Sequence, residues 1–168
     1  MARPARPPRS SALAAAALVV GLAACSPITT QEPYAASDGV QVDLGGQIAG
    51  QNLLVLTTAE GEPGLLLGAL TNDGTSPTAV TLQVGSTAVA LQLEPGHTVL
   101  LSAPDATPTA TLSVTNISLA AVEAAPGSLT DLTLSTPESG AVSVEVPVLD
   151  GTLDPYDDVL SRAPETSQ

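Results

Sequence analysis

The chain has 168 residues and a formal net charge of −13, with 17 acidic residues against four arginines and no lysine. Tyr34 and Tyr156 are its only aromatic side chains, and Cys25, His97 and Met1 are each the only residue of their type. A chain so poor in cations cannot displace phosphate counterions, which excludes nucleic acid as a partner, and the shortage of aromatics leaves no platform for stacking bases or sugars.

The first residues read as a targeting segment. Arg3, Arg6 and Arg9 give a basic start, and Ala12 to Leu22 form an apolar run. That run is shorter than the ~20 residues a membrane-spanning helix needs. A basic start, a short apolar run and small residues after it are the marks of a secretory signal peptide. Leu22-Ala23-Ala24-Cys25 resembles the bacterial lipobox. In such signals the cysteine thiol takes a diacylglyceryl group and becomes the new N-terminus after cleavage. The alternative is an ordinary signal peptide with a chance cysteine, or a free buried thiol. The expected organisation is a lipoprotein signal peptide over 1–24, a lipid-anchored tether over 25–37, a β-sandwich domain over 38–150 and an acidic, flexible tail over 151–168. Cleavage before Cys25 leaves Arg162 alone against 17 carboxylates, a formal charge of −16. Two acyl chains on Cys25 suffice for an anchor, where one binds marginally.

From Val40 onward the apolar residues alternate with polar ones. The runs are Val40/Val42/Leu44, Leu53/Val55, Leu65 to Leu70, Val80/Leu82/Val84, Val89/Leu91/Leu93, Val99/Leu101, Leu112/Val114, Leu132/Leu134 and Val142/Val144/Val146/Val148. A period of two marks half-buried strands. Turn residues separate the runs at Asn72-Asp73-Gly74, Pro95-Gly96, Pro104-Asp105, Pro126-Gly127 and Ser139-Gly140, since Gly tolerates positive φ and Pro presets φ. Asp73-Gly74 between two apolar runs favours a hairpin. Pro108 and Pro147 mark strand starts, edges or bulges, because proline cannot donate to a ladder. Short strands at this spacing indicate an all-β protein, an Ig-like or cupredoxin-like β-sandwich. The stretch LDPYDDVLSRAPETSQ reads as the tail, with room for one turn packed on the sandwich.

Few residues offer chemistry. His97 follows Pro95-Gly96, where a solvated turn histidine is the plain reading and one ligand of a shared metal the other. The sequence shows no G-x-S-x-G, H-E-x-x-H or C-x-x-C pattern and no glycine-rich phosphate loop. Asp150, Asp154, Asp157 and Asp158 crowd one stretch. They are weak candidates for Ca²⁺, a hard cation that takes oxygen ligands, but their spacing does not match an EF-hand loop, and a solvated acidic tail is the plain reading. Asn116-Ile117-Ser118 matches the N-glycosylation sequon, which a bacterial lipobox upstream makes a chance match.

The segments GALTNDGTSPTAVTLQV, LEPGHTVLL and PGSLTDLTLSTPESGAVSVEVPVL together resemble the periplasmic copper chaperones of the PCu(A)C type and the actinobacterial lipoproteins related to them. The resemblance covers Asp38 to Leu149 and implies a cupredoxin-like sandwich. That family binds Cu(I) through His and Met residues, soft ligands suited to the ion. With Met1 in the signal and His97 alone, no ligand of the family carries over to this sequence. The expected function is a non-enzymatic, membrane-tethered accessory or interaction module on the extracytoplasmic face, with no cofactor and an unnamed protein partner. The alternative is metal handling, as a copper-chaperone relative or through the C-terminal aspartates.

Overall fold

The structure is a computed structural model that describes residues 38–45, 47–152, 154 and 156–162. The expected signal peptide, Cys25 and the tether to residue 37 lie outside the described residues, as do Leu153 and Glu165 of the tail. All described residues fall within the unit Ala35–Gln168. Among them, no helix is long and apolar enough to cross a membrane.

The described elements are β1 (Val40–Asp43), β2 (Ile48–Thr57), β3 (Gly64–Asn72), β4 (Thr78–Val84), β5 (Thr87–Leu93), β6 (His97–Leu101), β7 (Leu112–Thr115), β8 (Ser118–Leu119), β9 (Leu129–Thr136), β10 (Gly140–Leu149) and one helical turn, α1 (Val159–Arg162). Nine strands coincide with the alternating runs; β8, only two residues long, has no such signature. The protein is all-β, as the alternation requires.

The strands follow one hydrogen-bonded path, β5-β4-β9-β10-β2-β3-β6-β7, with β1 added on β2 and β8 on β3. The path curls into two facing layers, and β10 belongs to both. Its residues Gly140 to Pro147 pair antiparallel with β9, while Val148 and Leu149 pair parallel with Val55 and Leu56 of β2. The change of partner falls at Pro147, which has no N–H to offer a ladder.

Between the layers lies one aliphatic core. Val80, Leu82 and Val84 of β4, Leu132 and Leu134 of β9 and Val146 and Val148 of β10 meet Leu53, Val55, Leu66, Leu70, Val99 and Leu101 of the other layer. These are the inward positions of each alternating run, so the period of two fixes the face.

Asn72-Asp73-Gly74 does not make the expected hairpin. β3 pairs with β2, β6 and β8, while β4 pairs with β5 and β9, so the chain crosses from one layer to the other there. Asn72 is the reason. Its side chain is 1% exposed; Oδ1 accepts from the Gly74 N–H at 2.9 Å, and Nδ2 donates to the carbonyls of Ser76 at 2.9 Å and Leu93 at 3.0 Å. Its own carbonyl accepts from Gly96 N–H at 2.7 Å. One asparagine therefore ties both crossovers, β3 to β4 and β5 to β6. The true two-residue hairpin of this region is Gly85-Ser86, between β4 and β5.

A second, smaller core lies on the outer face of β2 and β3. Leu54, Leu56, Leu65 and Leu67 are covered there by Tyr156 and Val159, with Leu149 and Leu160 alongside. The segment read as a flexible tail thus contributes one packed turn to the domain.

Candidate functional site

His97 opens β6 rather than lying in the preceding turn, and its half-buried ring places Nε2 at 3.1 Å from Ser113 Oγ on the neighbouring β7. No carboxylate bonds the other ring nitrogen among the described residues. The pair links β6 to β7.

The aspartates of the C-terminal stretch are engaged locally. Asp150 accepts from the Thr152 N–H at 3.0 Å and from its hydroxyl at 2.7 Å. The Thr152 amide first, and then the hydroxyl, hold its carboxyl below the usual range. Asp158 pairs with Arg162 at 3.2 Å, and the same guanidinium pairs with Asp105. Among the described residues, no group of three or more His, Cys, Asp or Glu side chains is arranged to hold a metal ion. The four candidates are therefore close in sequence, but among the described residues no three of them are placed to share an ion.

The site the fold does build is a cleft of ≈ 380 Å³ on the outer side of the second layer. Its floor is Leu67, Gly68 and Ala69 of β3 with Leu100 and Leu101 of β6; Gln51 and Asn52 of β2, the loop Ser102 to Ala106, Tyr156 and Val159 complete its walls. Three backbone features converge on it. Asn52 has φ of +50°, Ser102 of +48° and Gly68 of +128°. Asn52 sits where the β2–β3 register shifts between Gln51 and Leu54, a bulge that turns Leu53 and Val55 into the main core and Leu54 and Leu56 into the second one.

Each unusual conformation is held by a partner. Asn52 Oδ1 accepts from the Gly39 N–H at 2.7 Å. Ser102 is buried, donates its N–H to Thr115 O at 2.8 Å and accepts at Oγ from the Ile117 N–H at 3.0 Å. A Cβ on Gly68 would stand 2.8 Å from Gln51 O and 2.9 Å from Asn52 O, so only glycine lets β3 run this close to the bulge. Left-handed non-glycine residues cost free energy and concentrate at binding and switch sites. Tyr156 closes one side, its hydroxyl donating to Asp38 Oδ2 at 3.1 Å. Burial raises its phenol above the ordinary value; the Asn52 side chain works against that rise and the Asp38 carboxylate with it.

None of the cleft residues stood out in the sequence as a site. The one available signal was Asn52 itself, a residue that tolerates left-handed backbone, interrupting the alternation between Gly50 and Leu53.

No family profile matches the chain, and no curated protein matches it at a significant level. Among solved structures, the apo PCuAC domain from PmoF1 is 15% identical with a TM-score of 0.49, covering 66% of this chain and 99% of that one. The copper-bound PCuAC domain from PmoF2 is 18% identical with a TM-score of 0.48, covering 66% of this chain and 98% of that one. The copper is that domain's own.

Proposed function

We propose that the chain is a lipid-anchored extracytoplasmic lipoprotein, tethered through Cys25, whose sandwich is a non-enzymatic interaction module that binds through the cleft beside Tyr156. The observation that carries the reading is the convergence of Asn52, Gly68 and Ser102, all at positive φ, on one largely apolar cleft. Its volume lies in the range of ordinary ligand pockets and suits one or two apolar side chains of a partner. The chain as a whole is acidic, at a net −13, while Asp105 at the rim is paired with Arg162. The fitting partner is an extracytoplasmic protein segment with an apolar side chain flanked by basic residues. Complementary charge speeds such an encounter and selects the partner.

The test places a photo-reactive residue at Ala106, at the cleft, and at Ala141, exposed on the far strand β10, in intact cells. An adduct from position 106 alone, abolished when Ala69→Trp fills the cleft floor, supports the reading. No adduct, or equal adducts from both positions, overturns it. Fractionation of Cys25→Ser tests the anchor: loss from the membrane fraction is expected, and retention with bound lipid denies that role to Cys25. Metal analysis and Cu(I) titration of the purified protein decide the metal-handling alternative, which a stoichiometric, chelator-resistant site would put first.

A further inference from the structure

The first layer ends at β5, and this edge differs from the others. Exposed edges offer unpaired peptide groups, and proteins blunt them with charge, proline, bulges or short length. β1 carries Asp43, the free side of β10 carries Glu145 and Pro147, and β7 is four residues long. β5 has none of these devices. It runs TAVALQL for seven residues in unbroken register with β4. Between Asp73 and Glu94 the chain has no charged residue at all.

The hairpin fixes which groups are free. Val84 and Thr87 close the two-residue turn, and the closing pair of such a hairpin exchanges both backbone hydrogen bonds. The peptide groups of Thr87, Val89 and Leu91 therefore point to β4, and those of Ala88, Ala90 and Gln92 point outward. No other described strand pairs with them. The side chains give a second, independent sign. Val89 and Leu91 face the main core yet remain half-buried, while Ala88, Ala90 and Gln92 are exposed.

We infer that β5 is the interface of a two-fold homodimer, in which the β5 strands of two copies pair antiparallel about Ala90. In that register Ala90 faces its own copy and Ala88 faces Gln92, so all three outward residues exchange backbone hydrogen bonds. Val89 of one copy lies beside Leu91 of the other on the inner face, an apolar cross-strand pair of the kind that stabilises sheets. A two-fold interface must be self-complementary, and a strand with small side chains centred on Ala90 meets that condition. A second copy is the occupant the strand itself fits, since its outward row Ala88, Ala90 and Gln92 carries no charge and pairs with its own reverse. Two chains of net −13 repel each other, and the stretch between Asp73 and Glu94, which carries no charge, is where that repulsion is least. Screening should therefore strengthen this dimer, the reverse of an interface built on ion pairs.

The inference does not rest on the cleft, and its test is separate. Sedimentation velocity of the full chain in detergent solution should show a dimer whose fraction rises with NaCl. Ala90→Glu, which sets like charges face to face, should abolish the dimer while the chain stays folded by far-UV circular dichroism. Ala141→Glu, exposed on β10, should keep it. Mild oxidation of Ala90→Cys should yield a disulfide-linked dimer, since directly opposed hydrogen-bonded residues stand ~5.5 Å apart at Cα, within disulfide reach. With Cys25 replaced by Ser throughout, the otherwise unaltered chain and Ala79→Cys, one strand inward, should not cross-link. A monomer at all concentrations overturns the inference. So does a dimer that survives Ala90→Glu and is not linked through position 90. If Ala90→Glu does not fold, the cross-link of Ala90→Cys decides.

Discussion

Gly68 and Tyr156 set the limits of the cleft by different means. At Gly68 the constraint is backbone: φ is +128° and two carbonyls of β2 stand where a Cβ would be. Gly68→Ala should destabilise the protein by about 1–3 kcal/mol, the range for a strained backbone conformation, measured by urea unfolding. A neutral effect would mean that β2 and β3 move apart without cost. At Tyr156 the constraint is protonation. Its phenol is raised in the folded state, so the folded protein holds that proton more tightly than the unfolded chain. The contribution is fully present below about pH 10, the ordinary tyrosine value, and is lost as pH climbs through the raised one. Thermal melts above pH 9 should fall faster for the parent than for Tyr156→Phe, which lacks the titrating group. At neutral pH the same variant should be less stable by about 0.5–1.5 kcal/mol, for the bond to Asp38. Parallel alkaline limbs would show that Tyr156 does not titrate in this range.

The strands were legible because each half-buried run repeats every second residue, as Val80/Leu82/Val84 does while Ala79, Thr81 and Gln83 stay outside the core. Two things about the elements were not legible. Leu53 through Thr57 are buried on both faces, and a period of two cannot say what covers the second face. The cover is the turn around Tyr156 and Val159; the sequence leaves room for one packed turn in this acidic stretch but does not say which face it covers. Likewise Asn72-Asp73-Gly74 has the local chemistry of a hairpin turn, yet pairing depends on where Asn72 sends its side chain, which local sequence does not specify. The cleft was illegible for a related reason: Asn52 and Ser102 take left-handed backbone without glycine to announce it. The second core changes what truncation should do. A free acidic tail could be removed at almost no cost, but deletion from Thr152 onward strips Tyr156 and Val159 from Leu54, Leu56, Leu65 and Leu67. At about 1.5–3 kcal/mol per buried side chain, the loss should reach about 3–6 kcal/mol as an upper bound. Calorimetry of the truncated chain checks this, and an unchanged melting temperature would mean that the packed turn adds nothing.

On the scale of the molecule, the chain's acidity and its architecture act independently. With Asp158 held by Arg162 and Asp150 by its own turn, calcium should raise the melting temperature weakly and without saturation, an effect that NaCl at equal ionic strength reproduces. A saturable shift, following mass action, would show a true cation site instead. The architecture has its own consequence through β10, the strand that both layers share. Until that strand is present, β5-β4-β9 and β2-β3-β6-β7 are two separate sheets with no ladder between them. β10 is the last of the described strands, so the ladder that joins the two sheets forms only when the last strand is in place. A fragment ending at Ser139 should therefore remain open to protease while the chain that includes β10 resists it.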